Sequence, residues 1–481
     1  MNGNSSSRPS RPSRPRKPAP PRRRVGPERP PVEDPARLAA LDTLRAVRQR
    51  DAYANLVLPK LLRERRITGR DAALATELAY GSARAQGLLD AVIGACSDRP
   101  LSEVDGLLLD ALRLGAYQLL RTRIPAHAAV ASTVDLVRGG QGSGAAGFVN
   151  AVLRRITEQD EASWVDELAP DPDTDPIGHV ALANAHPRWI AQAFAEALGS
   201  RDEPLRDALA ADDTRPEVHL AARPGEVSAE ELAAMTGGEV APYSPYGVHL
   251  ESGSGDPGDL DPLREHLAVV QDEGSQLCAV ALTKVPVEGT DERWLDLCAG
   301  PGGKAVMLGA LAALNGGTLD AVELAPHRAE LVRKATKGLP ITVHVGDARE
   351  TDLPEGGFDR VLVDAPCTGL GALRRRPEAR WRRQPSDVAP LTRLQRELLT
   401  KALKLVRPGG VVAYVVCSPH LSETVGIVAD VARRTGAERL DTKEFFPGVP
   451  NLTDPHNVQL WPHLHGTDAM FCALLRRPPE E

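Results

Sequence analysis

The 481-residue sequence predicts a multidomain protein: an all-helical bundle, a small α+β module, then a doubly wound α/β domain with a mostly parallel sheet. Three observations carry that prediction. The length exceeds what one hydrophobic core supports. Residues 36–157 place Leu and Ala at helical spacing, and residues 268–478 alternate strand-like runs with helix-like ones.

The net charge of −7 is unevenly spread. Residues 1–30 hold nine Arg or Lys against the single Glu28, about +8, which leaves about −15 on the rest. Residues 1–35 are Pro, Arg and Ser with almost nothing to bury, so this basic tail is expected to be disordered. It serves either as a solubilising extension or as a non-specific RNA tether. No apolar stretch follows its basic residues, unlike a secretion signal, and no run in the chain approaches the roughly 18 apolar residues of a membrane span. A cytoplasmic protein with no membrane contact is expected, monomeric by default. Six cysteines, at 96, 278, 298, 367, 417 and 472, form no CxxC pair, so free thiols are expected and bound metal is not.

The helical region opens with "PARLAALDTLRAVRQR", which aligns Leu38, Leu41, Leu44 and Val47, and "VDGLLLDALRLGAYQLLR" repeats the device with Leu108, Leu112, Gly115 and Leu119. Loops such as "SDRPLSEVD" supply residues suited to helix entry. With "DALRLGAYQLL" and "GFVNAVLRR" at 147–155, residues 36–157 resemble the NusB-type helical RNA-binding fold, which is also found fused to certain RNA methyltransferases. Residues 158–185 are acidic and Pro-rich ("ELAPDPDTDPIG") and read as a linker. A small α+β module is expected over 186–267, from the helical "HPRWIAQAFAEALG" and the strand candidates "PEVHLAARPG" and "SPYGVHLES".

In the α/β domain, "RWLDLCAGPGGKAVMLGALAAL" reads as a strand, a glycine-rich turn and a helix. Glycines 300, 302 and 303 allow a tight turn and close approach of a ligand to free helix N–H groups. The next strand ends in Glu323, where a carboxylate accepts from ribose hydroxyls, and the third ends with Asp347, placed for an adenine amino group. "GPGGK" has neither the GxGxxG nor the GxxxxGK[ST] spacing, which disfavours a dinucleotide or a triphosphate and suits S-adenosylmethionine. Each acid alone reads as a solvated strand end; in this order they read as a cofactor site.

Two cysteines follow at strand exits. "FDRVLVDAPCTG" leaves a strand through Asp364 and Cys367, and "VVAYVVCSPH" leaves the next through Cys417, so both thiols should share the crevice with residues 300–304. Carbon 5 of cytosine is a poor nucleophile. A thiolate adding to carbon 6 converts the ring to an enamine-like nucleophile that accepts a methyl group at carbon 5 and then expels the thiol, and a carboxyl group such as Asp364 can stabilise the ring during addition. His420 is a candidate for lowering the pKa of Cys417. The segment 374–383 has six arginines around Trp381, either a solvated charged loop or, beside a base pocket, groups for phosphate contact and stacking: Arg374, Arg375, Arg376, Arg380 and Trp381. Cys96, Cys278 and Cys472 read as core.

"DLCAGPGGK", "DAPCTGLGALRRRPEARW", "YVVCSPHLSET" and "VQDEGSQL" resemble motifs of the RNA 5-methylcytosine methyltransferases of the RsmB (Sun, Fmu) type, and the likeness covers almost all of residues 36–478. It implies a Rossmann-like enzyme that uses S-adenosylmethionine to methylate carbon 5 of a cytosine in small-subunit (16S) ribosomal RNA. By the same resemblance Cys417 is the nucleophile and Cys367 serves product release. Cys298, Ala299, Gly300, Pro301, Gly302, Gly303, Lys304, Glu323, Asp347 and Asp364 form the cofactor set, with Asp364 also facing the base. Gly300 stands where Ala is commoner and Glu323 where Asp is, and Val416 replaces a frequent Thr. "SPHLSET" departs from the more usual acidic "PEEN" ending, with no consequence read from it. Other readings are a methyltransferase acting on another RNA such as tRNA, an antitermination-type RNA-binding factor with an inert methyltransferase domain, and a purine amino-methylating enzyme. "DAPC" lacks the aromatic residue that the last would use.

Overall fold

The computed structural model describes residue 1 and residues 34–251 and 255–479, so nearly all of the basic tail lies outside the described residues. The bundle comprises α1 (Pro35–Arg50), α2 (Ala54–Glu64), α3 (Gly69–Arg84), α4 (Gln86–Cys96), α5 (Gly106–Arg121) and α6 (Ala126–Ile156). Short acids start its helices: Asp34 accepts from the Arg37 N–H ahead of α1, and Asp105 from the Leu107 N–H ahead of α5. Leu41 and Leu44 are buried as the spacing requires, but Leu38 is exposed. Ala36, Ala39 and Ala40 fill the buried face instead, because small residues let α1 approach its neighbours.

Residues 158–185 are not a linker; they fold. Their acids and prolines are helix starts: Asp160 caps α7 (Glu161–Leu168), and Asp175 followed by Pro176 opens α8 (Pro176–Ala183). Trp164 of α7 joins the bundle core, while Ile177 and Ala181 of α8 join a second core with α9 (Arg188–Leu198) and α10 (Glu203–Asp212). That core also takes in Leu370, Leu373, Trp461 and Ala469 from the last domain.

Next come β1 (Val218–Ala222), α11 (Ala229–Thr236), β2 (Glu239–Val240), β3 (Gly247–Leu250), α12 (Asp261–Arg264) and β4 (Ala268–Val270). The strands form a four-stranded antiparallel sheet in the order β2-β3-β1-β4, so this module runs past the expected boundary at 267 to include β4. At its junction with the last domain the His219 and His249 rings stack at 3.9 Å, and Glu217 converges with them. His219 Nδ1 accepts the Glu273 N–H at 3.1 Å and lies 3.4 Å from Asp272 Oδ2.

The last domain contains α13 (Glu273–Lys284), β5 (Arg293–Asp296), α14 (Gly303–Leu314), β6 (Thr318–Glu323), α15 (Pro326–Ala335), β7 (Ile341–Val345), β8 (Phe358–Asp364), α16 (Ala379–Arg382), α17 (Val388–Leu405), β9 (Val406–Val416), α18 (Val425–Thr435), β10 (Glu438–Arg439), β11 (Val458–Gln459), α19 (Pro462–His465) and β12 (Phe471–Arg476). The eight-stranded sheet runs β10-β12-β9-β8-β5-β6-β7, with β11 also paired to β12. From β9 to β7 all neighbours are parallel, and β12 returns antiparallel to β9. The order reverses between β5 and β8. In a doubly wound sheet that switch point opens a crevice beyond the carboxyl ends of the strands.

Candidate active site

The loop after β5 is stitched into this crevice by its backbone: Leu297 N–H donates to Leu362 O, and Ala299 N–H to Val322 O, both at 2.9 Å. Glu323, at the end of β6, accepts from the Gly300 N–H at 3.0 Å and from the Ala325 N–H at 2.9 Å. A Cβ on residue 300 would lie 2.2 Å from a Glu323 carboxylate oxygen, so Gly300 makes room for this acid, and Gly302 adopts φ +120°, which favours glycine. Lys304, in the first turn of α14, is buried and donates to Asp364 Oδ2 at 2.8 Å. Burial opposes its charge, but Asp364 more than restores it and holds the ammonium protonated.

Asp296, at the end of β5, is a site residue that the sequence reading missed. It is buried; one carboxylate oxygen accepts from Cys298 N–H at 3.3 Å, and the other has no partner. Burial, then the nearby Asp364 charge, pushes it up to about 7. An orphaned buried carboxylate beneath a glycine turn suits a cationic ligand group. Leu324 and Val345, 67 % and 46 % exposed, stand at the ends of β6 and β7 and offer apolar surface for a purine ring. The residues present therefore fit S-adenosylmethionine: an acid below the loop for its ammonium group, Glu323 for ribose, and an apolar rim.

Asp347 lies at the outer edge, on the turn after β7, where Arg349 holds its carboxylate at 2.6 Å and depresses its pKa. For Cys298, burial followed by Asp296 pushes the thiol well above its usual range, which keeps it unreactive and leaves its backbone as the working part.

The two remaining thiols meet. Cys367, after β8, and Cys417, after β9, place their Sγ atoms 3.5 Å apart. Ala365 N–H donates to Val415 O and Gly371 N–H to Cys417 O, each at 2.9 Å, so the two exit loops run as neighbours. The thiol hydrogen bond from Cys367 lowers the pKa of Cys417; burial and Asp364 oppose this, and Lys304 and Arg376 assist it. The same contact, reinforced by burial, raises Cys367 well above the ordinary range. His420 is turned elsewhere: its Nδ1 accepts the Ser422 N–H at 3.2 Å.

The arginine segment takes a different place from the one expected. Arg374 is buried between Asp468 (2.8 Å) and Gly466 O (2.7 Å), and Arg375 bridges Asp272 (2.8 Å) and Asp468 (3.0 Å). Arg380 is fully buried, donating to Arg84 O, Ala185 O, Asp212 and Asp213. Trp381 Nε1 donates to Ala83 O at 3.1 Å. These four are corrected from RNA contacts to a strut between domains, because acids and carbonyls remote in sequence already engage most of their polar atoms. Arg376 alone of the five is exposed, above the Tyr53 ring of the bundle.

A donor-binding crevice at the switch point and paired thiols at adjacent strand exits, on a chain that opens with a helical bundle, define a methyltransferase domain joined to a NusB-like domain. Residues 284–476 match the model of the 16S rRNA methyltransferase RsmB/F family, and residues 34–158 match the NusB family. "Putative methyltransferase Rv1407" of Mycobacterium tuberculosis (strain ATCC 25618 / H37Rv) is 62% identical over 94% of this chain and 98% of its own length. The ribosomal RNA small subunit methyltransferase B of Pseudomonas putida is 33% identical over 91% of this chain and 98% of its own. The crystal structure of PH0851 superposes with a TM-score of 0.75 at 22% identity, covering 92% of this chain and 99% of that one, which is a likeness of fold. The chain belongs to the RsmB/F family of RNA methyltransferases. Among the described residues no helix is long and apolar enough to cross a membrane.

Proposed function

We propose that this enzyme methylates carbon 5 of a cytosine in small-subunit (16S) ribosomal RNA through a covalent Cys417–cytosine adduct, with S-adenosylmethionine as donor. The observation that carries the reading is the 3.5 Å contact between Cys367 and Cys417 at the crevice. When bound, S-adenosylmethionine supplies an electrophilic methyl group. Cys417, biased toward thiolate, adds to carbon 6 of the base. Asp364, held by Lys304 at the crevice floor, orients the ring by accepting from its amino group, and the Lys304 ammonium beside it steadies the negative charge that thiolate addition puts on the ring. Once Cys417 is bonded to carbon 6 it no longer holds the Cys367 proton in place; Cys367 as thiolate then takes the carbon 5 proton, the carbon 6–sulfur bond breaks, and Cys417 leaves as thiolate. The 16S assignment is supported by the names of the family model and of relatives such as the Pseudomonas putida protein. Arg376, exposed near Cys417, is the arginine best placed for RNA phosphate.

The test is chemical. Cys417→Ala should abolish methyl transfer to a small-subunit RNA transcript, whereas Cys367→Ala should accumulate a protein–RNA adduct that survives denaturation. Bisulfite mapping of ribosomal RNA from cells with and without the gene should reveal one protected cytosine. Methylation that persists in Cys417→Ala would refute the mechanism, and unchanged bisulfite maps would refute the ribosomal substrate.

A further inference from the structure

Glu423 lies in the "SPHLSET" ending to which the motif reading gave no role, and its side chain is completely buried. One carboxylate oxygen accepts from the Thr368 N–H at 2.8 Å and from Gln395 Nε2 at 3.0 Å. The other accepts from the Ser418 hydroxyl at 2.7 Å and from the Thr368 hydroxyl. Thr368 directly follows Cys367, and Ser418 directly follows Cys417. Gln395 also donates to Pro366 O at 2.9 Å, which ties the same carboxylate to the residue before Cys367. One side chain thus gathers both cysteine loops and the helix beneath them.

A buried carboxylate is costly unless every lone pair is used. Here it is satisfied by four hydrogen bonds to neutral groups, and no Lys or Arg pairs with it among the described residues. The negative charge is therefore uncompensated locally, and it sits on the Cys367 side of the thiol pair. On the Cys417 side Asp364 adds its negative charge, against which Lys304 and Arg376 supply positive charge. The two thiols, alike in chemistry, are made unlike by what surrounds them.

We infer that Glu423 is a positioning residue that sets the contact between the two thiols and, through its charge, assigns the shared proton to Cys367 and the reactive sulfur to Cys417. The inference rests on the two-cysteine reading above and deepens it.

Glu423→Gln tests the charge with little change of shape. The Gln oxygen can keep the two N–H donors, while its NH2 group faces hydroxyls that can rotate to accept. Iodoacetamide labelling followed by peptide mapping reads the two thiols separately across pH. In the wild-type protein Cys417 should label faster than Cys367 at neutral pH. In Glu423→Gln that preference should fall about tenfold, because the pH midpoint for Cys367 labelling should drop toward that of Cys417 once the nearby negative charge is removed. The turnover number should fall by about tenfold or more with affinity for S-adenosylmethionine unchanged, which also shows that the variant is folded. Glu423→Asp keeps the charge but cannot span both loops, so it should lose turnover while retaining part of the preference. Wild-type labelling preference and turnover in Glu423→Gln would overturn the inference. Methylation by Cys417→Ala would instead overturn the reading beneath it, so the two failures are told apart.

Discussion

Within twenty residues the chain builds two charged regions of opposite character, the crevice at Asp364–Cys367 and the strut at Arg374–Arg382. In the crevice, charges are few and incompletely matched: Asp296 keeps an orphaned oxygen, and the thiols are only partly covered. In the strut they are many and paired with groups remote in sequence, so that Arg380 has no exposure at all and donates to both carbonyls and carboxylates, although Arg380 Nε, Asp212 Oδ1 and both Glu378 carboxylate oxygens stay buried without a hydrogen bond. An orphaned oxygen at the end of a sheet strand leaves capacity for a ligand, whereas guanidiniums enclosed by acids and carbonyls from distant parts of the chain fix one arrangement of domains. Charge density in a sequence does not separate the two; the supply of distant partners does.

The sharpest way to break the contrast is to remove one member from each region. Arg380→Ala leaves Asp212 buried without its cation and should cost about 3–5 kcal/mol of stability, measured by denaturant unfolding. Its transfer rate per folded molecule should suffer far less. Lys304→Met should do the reverse, cutting methyl transfer by about 10²–10³ while the melting temperature moves little, because Asp364 is part-exposed and finds water. If both variants fail in the same assay, the division is wrong.

Acidity sharpens the same contrast, with opposite signs. In the strut, burial and then Arg380 lower the pKa of His186, which is hydrogen-bonded to Asp212 at 2.9 Å. The unfolded chain takes up that proton below pH of about 6.5 and the folded one does not, so its contribution is present above that pH and is lost as pH falls. In the crevice, Asp296 is raised to about 7. Between about pH 4 and 7 the folded state binds the extra proton, so its contribution grows as pH falls and is lost as pH rises. Asp296→Asn should therefore raise the melting temperature at pH 8 more than at pH 5. A smaller effect is expected at Arg376→Gln, where the Michaelis constant for RNA should rise about threefold to tenfold and become less salt-dependent, with stability unchanged.

These differences explain what the sequence disclosed. The glycine turn, Glu323, Asp364 and the two cysteines are legible because each lies within a few residues of a strand exit, so local spacing places them. The strut is not, because Arg374 meets Asp468 across 94 residues and Arg380 meets Asp212 across 168. Glu423 hides for a similar reason: an acid in a polar loop reads as solvated until Thr368 and Gln395 are brought over it. The misread linker failed differently, since Asp and Pro mark both helix starts and flexible chain, and only the burial of Trp164 and Ile177 decides.

The strut has one more property. Trp381 and Arg382 reach the bundle through Ala83 O, Val47 O, Asp51 O and Ala52 O, and Arg380 adds Arg84 O. Every one of these acceptors is peptide backbone, which any residue type supplies. The hydrogen-bonding part of the docking is thus indifferent to the bundle's residue types, and its dependence on the bundle's own side chains falls instead on Tyr53, which lies under Arg376 and Arg382, and on Gly87, where a Cβ would meet Trp381.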